Sequence, residues 1–279
     1  MATHQPSACT LITGANSGIG LEFARLAAAD GSELILVARN ADSLAAAAAE
    51  ISQLATVHVI PCDLSEPGAA AHVFAQVQAL GATVDCLIND AGFGDYGGFA
   101  TADLARQERM ISVNITALTA LTRLVLPGMI ERAHGRILNV ASVTGFLPGP
   151  LVSVYFATKH YVLAFSESLA EELRGTGVTV TALCPPPVRT SFAQAARISP
   201  ASYMATTKVT APSVASYGYR MMNRGKPVAV YTIRYKLLTS VLIRATPRFA
   251  LRRLLHRMNA QGAEQTPAAE LKDQTPAPG

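Results

Sequence analysis

The feature that most constrains this chain is an alternation. Short apolar runs, each closed by a turn signal, are separated by stretches of helical character. "CTLITG", "ELILVA", "TVHVIPCD", "VDCLIND", "GRILNVAS" and "VTVTALCP" read as strands, with "PVAVYT" as a last one. Between them, Ile19–Asp30, the alanine-rich "ADSLAAAAAEISQL", Pro67–Leu80, Leu104–Arg132 and Ser153–Arg174 read as helices. Strands with no polar face, alternating with helices, imply an α/β fold: a doubly wound, mainly parallel sheet with helices on both faces. No repeat or linker interrupts the pattern. Residues 1–260 are therefore expected to form one domain ending in a short helical extension.

The junction of the first strand and first helix carries "TGANSGIG", residues 13–20. Gly14, Gly18 and Gly20 allow a tight turn and close approach of the backbone to a ligand, and a helix N-terminus offers N–H donors to a pyrophosphate. The spacing differs from G-x-G-x-x-G, and a glycine cluster alone equally fits a tight turn. Its place between strand and helix favours the nucleotide reading, which makes the fold Rossmann-like. The second strand ends in "LVARN". Arg39 there suits a 2′-phosphate, so NADP(H) is expected rather than NAD(H); the alternative is a surface arginine closing a strand. Asp63, at the end of the third strand, is placed to accept from an adenine amino group.

Bulk properties exclude several classes. Charged residues are 15% of the chain. Cys9, Cys62, Cys86 and Cys184 form no C-x-x-C pair, which argues for a reducing cytoplasm and against a disulfide scaffold or metal site. "MATHQPSA" lacks the pattern of a signal peptide. The uncharged run Ile137–Thr158 is long enough to span a bilayer, but Asn139, Gly145, Pro148, Gly149 and Pro150 break it into strand and loop. Leu173–Ala263 holds 14 Lys or Arg and no acidic residue. Such a basic end suits nucleic acid, a membrane surface or an anionic ligand, but no nucleic-acid motif accompanies it. Residues 261–279 turn to Gln, Ala, Thr and Pro, the composition of a disordered tail.

Six segments in fixed order carry a family resemblance. They are "TGANSGIG"; "LINDAG", residues 87–92; "VNITA", with Asn114; "NVASVTG", with Ser142; "YFATK", with Tyr155 and Lys159; and "CPPPVRT", residues 184–190. From about Cys9 to Pro227 the chain resembles the short-chain dehydrogenase/reductase family, nearest to bacterial general short-chain reductases. The resemblance implies an NAD(P)-dependent oxidoreductase with Ser142, Tyr155, Lys159 and Asn114 as its catalytic set. Cofactor contacts are implied for Gly14, Asn16, Ser17, Gly18, Ile19 and Gly20, for Arg39, Asp63 and Leu64, and for Asn89, Ala91 and Gly92. Tyr155, Lys159, Pro185, Val188 and Thr190 complete that set. A homodimer or homotetramer is also implied. Two positions depart from the family pattern: Asp90 replaces an Asn, and Pro186 replaces a Gly.

The implied chemistry follows from elementary physics. A ketone accepting a hydride needs a proton on its oxygen. Tyr155 supplies it, but a free phenol has a pKa near ~10. Lys159 lies one helical turn on, and its charge favours the phenolate. Ser142 donates to the developing alkoxide, a role worth ~3 kcal/mol. The resemblance gives Asn114 a water in a proton path; otherwise it is a buried Asn satisfying backbone.

Segments 143–153 and 190–224 are expected to line the substrate pocket. They offer Phe146, Leu147, Val152, Phe192, Tyr203 and Met204, with Arg189 or Arg197 as charges, which suits an apolar ketone or secondary alcohol. Near the end, Leu237, Leu238, Val241 and Leu242 mark one helical face. Leu251, Leu254, Leu255 and Met258 mark another, opposite Arg248, Arg252, Arg253 and Arg257. These residues fit helices packed on the substrate side, or a basic amphipathic hairpin in peripheral contact with anionic lipid. Two other functions remain open: a cofactor-binding regulator on the same fold, and a membrane-surface lipid or steroid dehydrogenase.

Overall fold

The computed structural model describes residues 8–190, 192, 196, 208–237, 239 and 246–264. Seven strands form one sheet: β1 (Ala8–Thr13), β2 (Glu33–Ala38), β3 (Val57–Pro61), β4 (Thr83–Asn89), β5 (Gly135–Val140), β6 (Val178–Cys184) and β7 (Val228–Val230). The order is β3-β2-β1-β4-β5-β6-β7, and every pairing is parallel. The chain reverses its direction across the sheet between β1 and β4. In a doubly wound sheet, that is where a crevice opens at the carboxyl ends of the strands.

The strands look uniformly apolar because both faces are buried, and successive side chains go to opposite cores. Ile12, Leu34, Leu36, Ile88 and Leu138 enter one core with Phe23 of helix α1 (Gly18–Ala29) and Val214 of helix α7 (Ala211–Asn223). Their neighbours Leu11, Ile35, Val37, Leu87 and Ile137 enter the other. There they meet Val73 of α3 (Ala69–Ala79) and Leu121 of α5 (Leu118–Glu131). Each such side chain, fully buried, contributes ~1.5–3 kcal/mol. Helix α2 (Ala41–Ile51) and the 20-residue α6 (Ser153–Glu172) complete the layers.

Three differences from the sequence reading have physical causes. The helix expected over Leu104–Arg132 is α4 (Leu104–Ile111), a wide π turn over Ser112–Ala117, and then α5. Residues Leu104–Glu131 are long and apolar enough, by length and composition, to cross a membrane. Here α5 packs on α3, β4 and β5. Helix α8 (Ile233–Leu237) is short, and Leu237 is exposed; Leu238, Val241 and Leu242 lie outside the described residues. Helix α9 (Arg248–Glu264) runs past the expected start of a disordered tail at 261, since the first proline after Pro247 is Pro267. Its predicted apolar face is only partly seated. Leu251 and Leu255 are half-buried, whereas Leu254 and Met258 are 55% and 58% exposed.

Candidate active site

The cleft at the switch point has a volume of about 1010 Å³, and the glycine loop forms one wall. Gly14 has φ +72°, and a Cβ there would stand 2.9 Å from the Ala91 nitrogen. The loop and the β4 exit are thus in backbone contact, a fit only glycine permits. Ala91 N–H donates to Thr13 Oγ1 (3.1 Å) across this contact, and Gly14 N–H donates to Val37 O (2.8 Å), which ties the loop to β2. Asn16 donates to Ser43 Oγ at 2.9 Å, tying the loop to α2. Ser17 occupies the N-cap of α1, yet its side chain makes no capping bond. The donors of that helix end therefore face the cleft without a side-chain acceptor from the cap, which suits a phosphate.

At the adenosine end, Arg39 is exposed and stands 3.9 Å from Asp63. Asp63 accepts from Ser65 N–H (2.9 Å) and Ser65 Oγ (2.7 Å). Burial opposes its ionisation, but the Ser65 bonds and the charges of Arg39 and Arg109 outweigh that and hold the carboxyl below its usual value. Leu64 closes this end from below.

At the other end, Ser142, Tyr155 and Lys159 line the same cleft. Ser142 leaves β5 at the N-cap of a 3-10 turn, accepts from Thr144 N–H (3.1 Å), and contacts Pro185 O at 3.5 Å. Tyr155 lies on the first turn of α6, with its ring 5.4 Å from that of Phe192. Lys159 is buried; its Nζ donates to Val140 O (2.6 Å) and stands 5.9 Å from the Tyr155 ring centre. Burial lowers its ammonium to about 8, against the pull of the Asp90 charge. Burial also pushes the nearby Cys184 thiol up to about 12, so it stays neutral. Pro185, Val188 and Thr190 form the opposite rim, and Ala91 and Gly92 the floor.

Three implied site residues do not line the cleft. Gly20 lies behind the loop, where an added Cβ would collide with Gly14 O at 2.3 Å. Asn89 lies in the interior: it is buried, and its Nδ2 donates to Asn139 Oδ1 (2.9 Å) and Thr122 Oγ1 (3.2 Å). Asn114 sits in the π turn and accepts from Phe93 N–H (3.1 Å). It donates to Phe93 O (2.9 Å) and Thr158 Oγ1 (3.1 Å), so it joins the loop after β4 to α6.

The sequence reading missed other wall residues. Arg106 reaches in from α4 to pair with buried Asp95 (2.8 Å) and lies over the Phe93 ring. Gln107 donates to the other oxygen of Asp95 at 2.7 Å. Only the helical register of 106 and 107 hints at this, because the partner loop has no pattern. On the substrate side, Tyr96 donates to Asn259 O (2.6 Å), and Asn259 Nδ2 donates to Pro150 O (2.8 Å). Helix α9 thereby fastens the loops that follow β4 and β5. Tyr203, Met204 and Arg197 lie outside the described residues.

Residues 8–200 match the family model for short chain dehydrogenases. The ketoacyl reductase HetN of Nostoc sp. is 32% identical over 206 residues, 74% of this chain and 68% of that protein. A short-chain dehydrogenase from Sphingobium yanoikuyae, solved in complex with NADPH, is 30% identical. It superposes with a TM-score of 0.76 over 98% of both chains. A bulky-bulky ketone specific alcohol dehydrogenase from Comamonas testosteroni gives 0.70 at 26% identity, over 95% of this chain and 97% of its own.

Proposed function

The chain belongs to the short-chain dehydrogenase family and is an oxidoreductase for alcohol and carbonyl groups; from that premise we propose that it uses NADP(H) to interconvert an apolar ketone and its secondary alcohol. One observation carries this: Lys159 is held by Val140 O one turn beyond Tyr155, in the cleft that the glycine loop walls. The glycine contact at Ala91 and the uncapped start of α1 fit a dinucleotide phosphate. Gly14, Ser17, Gly18, Ile19, Arg39, Asp63 and Thr190 would hold it. When bound, the nicotinamide supplies or accepts the hydride.

The protein's residues do the rest. Tyr155 gives its phenolic proton to the carbonyl oxygen in reduction and takes it back in oxidation. Lys159, charged near neutrality, favours the phenolate and so brings the phenol toward working pH. Ser142 turns its hydroxyl from Pro185 O to the substrate oxygen and stabilises negative charge there. Asn114 holds Phe93 and Thr158, and with them the spacing of floor and helix.

NADP(H) is favoured by the free face of Arg39 and by the NADPH complex of the Sphingobium relative. The rings of Phe93 and Phe192 favour an apolar substrate, as do the ketoacyl and bulky-ketone activities named for two relatives. Self-association fits the exposed Ile111, Ile130 and Tyr161 on the outer helices. Four free thiols fit a cytoplasmic setting. A second reading, contact with anionic lipid, is supported by exposed Phe249, Leu254 and Met258 beside Arg252, Arg253 and Arg257; liposome flotation tests it. The main test is turnover of a ketone and alcohol panel with NADPH and NADH. Absence of turnover in both directions overturns the proposal.

A further inference from the structure

Asp95 lies on the loop after β4, and its side chain is 7% exposed. A carboxylate so deeply placed needs partners for both oxygens. Helix α4 supplies them: Arg106 Nε donates to Oδ1 at 2.8 Å, and Gln107 Nε2 donates to Oδ2 at 2.7 Å. The hold extends to the two residues before Asp95. Arg106 Nη2 donates to Gly94 O (3.3 Å), and the guanidinium stands 5.2 Å from the centre of the Phe93 ring. Asn114, in the π turn that continues α4, pairs with both the N–H and the carbonyl of Phe93. Consecutive loop residues 93, 94 and 95 are thus all fixed to one helical segment.

What this loop backs is the phenol. Gly94 is buried, and a Cβ there would stand 3.5 Å from Tyr155 Cδ2, 3.4 Å from Phe192 Cζ and 3.3 Å from Ala196 Cβ. Glycine lets the backbone itself come up to the ring. Residue 94 therefore forms one side of the seat of Tyr155. Phe192 forms another, with ring centres 5.4 Å apart, and Lys159 Nζ stands 5.9 Å from the Tyr155 ring centre. A displacement of the loop is passed to the ring, and through the ring to its hydroxyl.

We propose that Asp95 is a positioning residue for Tyr155: clamped by Arg106 and Gln107, it holds Gly94 against the phenol ring and so sets where the hydroxyl meets the substrate oxygen. This rests on the reading of Tyr155 as proton donor, but the deciding measurement needs no turnover. The full chain is labelled with 3-fluorotyrosine, and the Tyr155 ¹⁹F signal, assigned with Tyr155→Phe, is recorded without cofactor. Asp95→Ala moves that signal and leaves in place those of Tyr217 and Tyr231, which pack on each other beside β7. Asp95→Asn restores it, because the amide oxygen accepts from Arg106 and the amide nitrogen donates to Gln107 once that side chain turns over. With a ketone and NADPH, Asp95→Ala lowers kcat by about 10–100-fold, the cost of a misplaced catalytic group, and Asp95→Asn recovers most of it. NADPH affinity, read by fluorescence, stays near that of wild type, since Ala91 is tied separately to Thr13 Oγ1. An unmoved Tyr155 signal in Asp95→Ala overturns the proposal. So does a shift shared by Tyr217 and Tyr231, a moved signal with unchanged kcat, or a loss that falls on NADPH affinity instead. Should Asp95→Ala fail to fold, Gln107→Leu, which keeps the ion pair and removes the second bond to the carboxylate, is judged by the same signals. A protein inactive on every carbonyl would still give the ¹⁹F result, so failure of the proposed function is told apart from failure of this inference.

Discussion

Gly14 and Gly31 offer a matched test of how the cofactor wall is built. Their backbones are nearly alike, with φ +72° and +79°. Their surroundings differ: nothing lies within 4 Å of a Cβ added at Gly31, whereas one at Gly14 would stand 2.9 Å from Ala91 N and 3.0 Å from Ala91 Cα. Alanine at either position incurs the left-handed backbone cost of about 1–2 kcal/mol. At Gly14 the overlap adds about 1–3 kcal/mol, because backbone cannot rotate away as a side chain does. Pushing Ala91 back also stretches its bond to Thr13 Oγ1. At about 2–4 °C per kcal/mol, Gly31→Ala lowers the melting temperature by a few degrees and Gly14→Ala by roughly 10 °C. Thermal melts at one scan rate read this difference, and NADPH fluorescence titration reads the function. Gly31→Ala should bind NADPH like wild type, and Gly14→Ala should bind it much more weakly. Equal melting shifts with equal NADPH affinity would refute the claim that the loop and the β4 exit are in obligatory backbone contact.

Tyr155→Phe keeps the fold and NADPH affinity and lowers reduction by about 10²–10⁴ in single-turnover assays; loss of NADPH binding instead would assign Tyr155 a structural role. Arg39→Asp weakens NADPH by about tenfold or more while NADH changes little, since one charge-assisted bond to a phosphate is lost; parallel titrations showing equal losses would remove Arg39 from cofactor choice. Truncation before Pro247 removes Asn259 and the half-buried Leu251 and Leu255. It should raise KM for a bulky ketone and leave NADPH affinity within about threefold, because hydrogen bonds lost at the substrate loops do not reach the cofactor wall. An unchanged KM would mean that α9 does not shape the substrate loops.

Segments that act through their own backbone were legible in the sequence. The strands of Leu34–Val37 and Ile137–Val140 announce themselves by unbroken apolar runs, and the loop of Gly14–Gly18 by glycines between strand and helix. Ser142, Tyr155 and Lys159 were singled out by the family resemblance, and the structure brings all three to one cleft. What depends on partners far along the chain was not. Asn89 is a brace because Thr122 and Asn139 converge on it from two other elements. The π turn at Asn114 has no composition that separates it from ordinary helix. Leu254 and Met258 share the apolar character of Leu251, yet they stay exposed where Leu251 is half-buried.

The bond between Tyr96 and Asn259 spans 163 residues. At ribosomal speeds of 5–20 residues per second, the interval between the two is on the order of ten to thirty seconds. The residues of β1, the glycine loop and β4 are all synthesised before that interval begins. A growing chain therefore presents its glycine loop and the exit of β4 well before it holds the residue that ties the loops after β4 and β5 to α9.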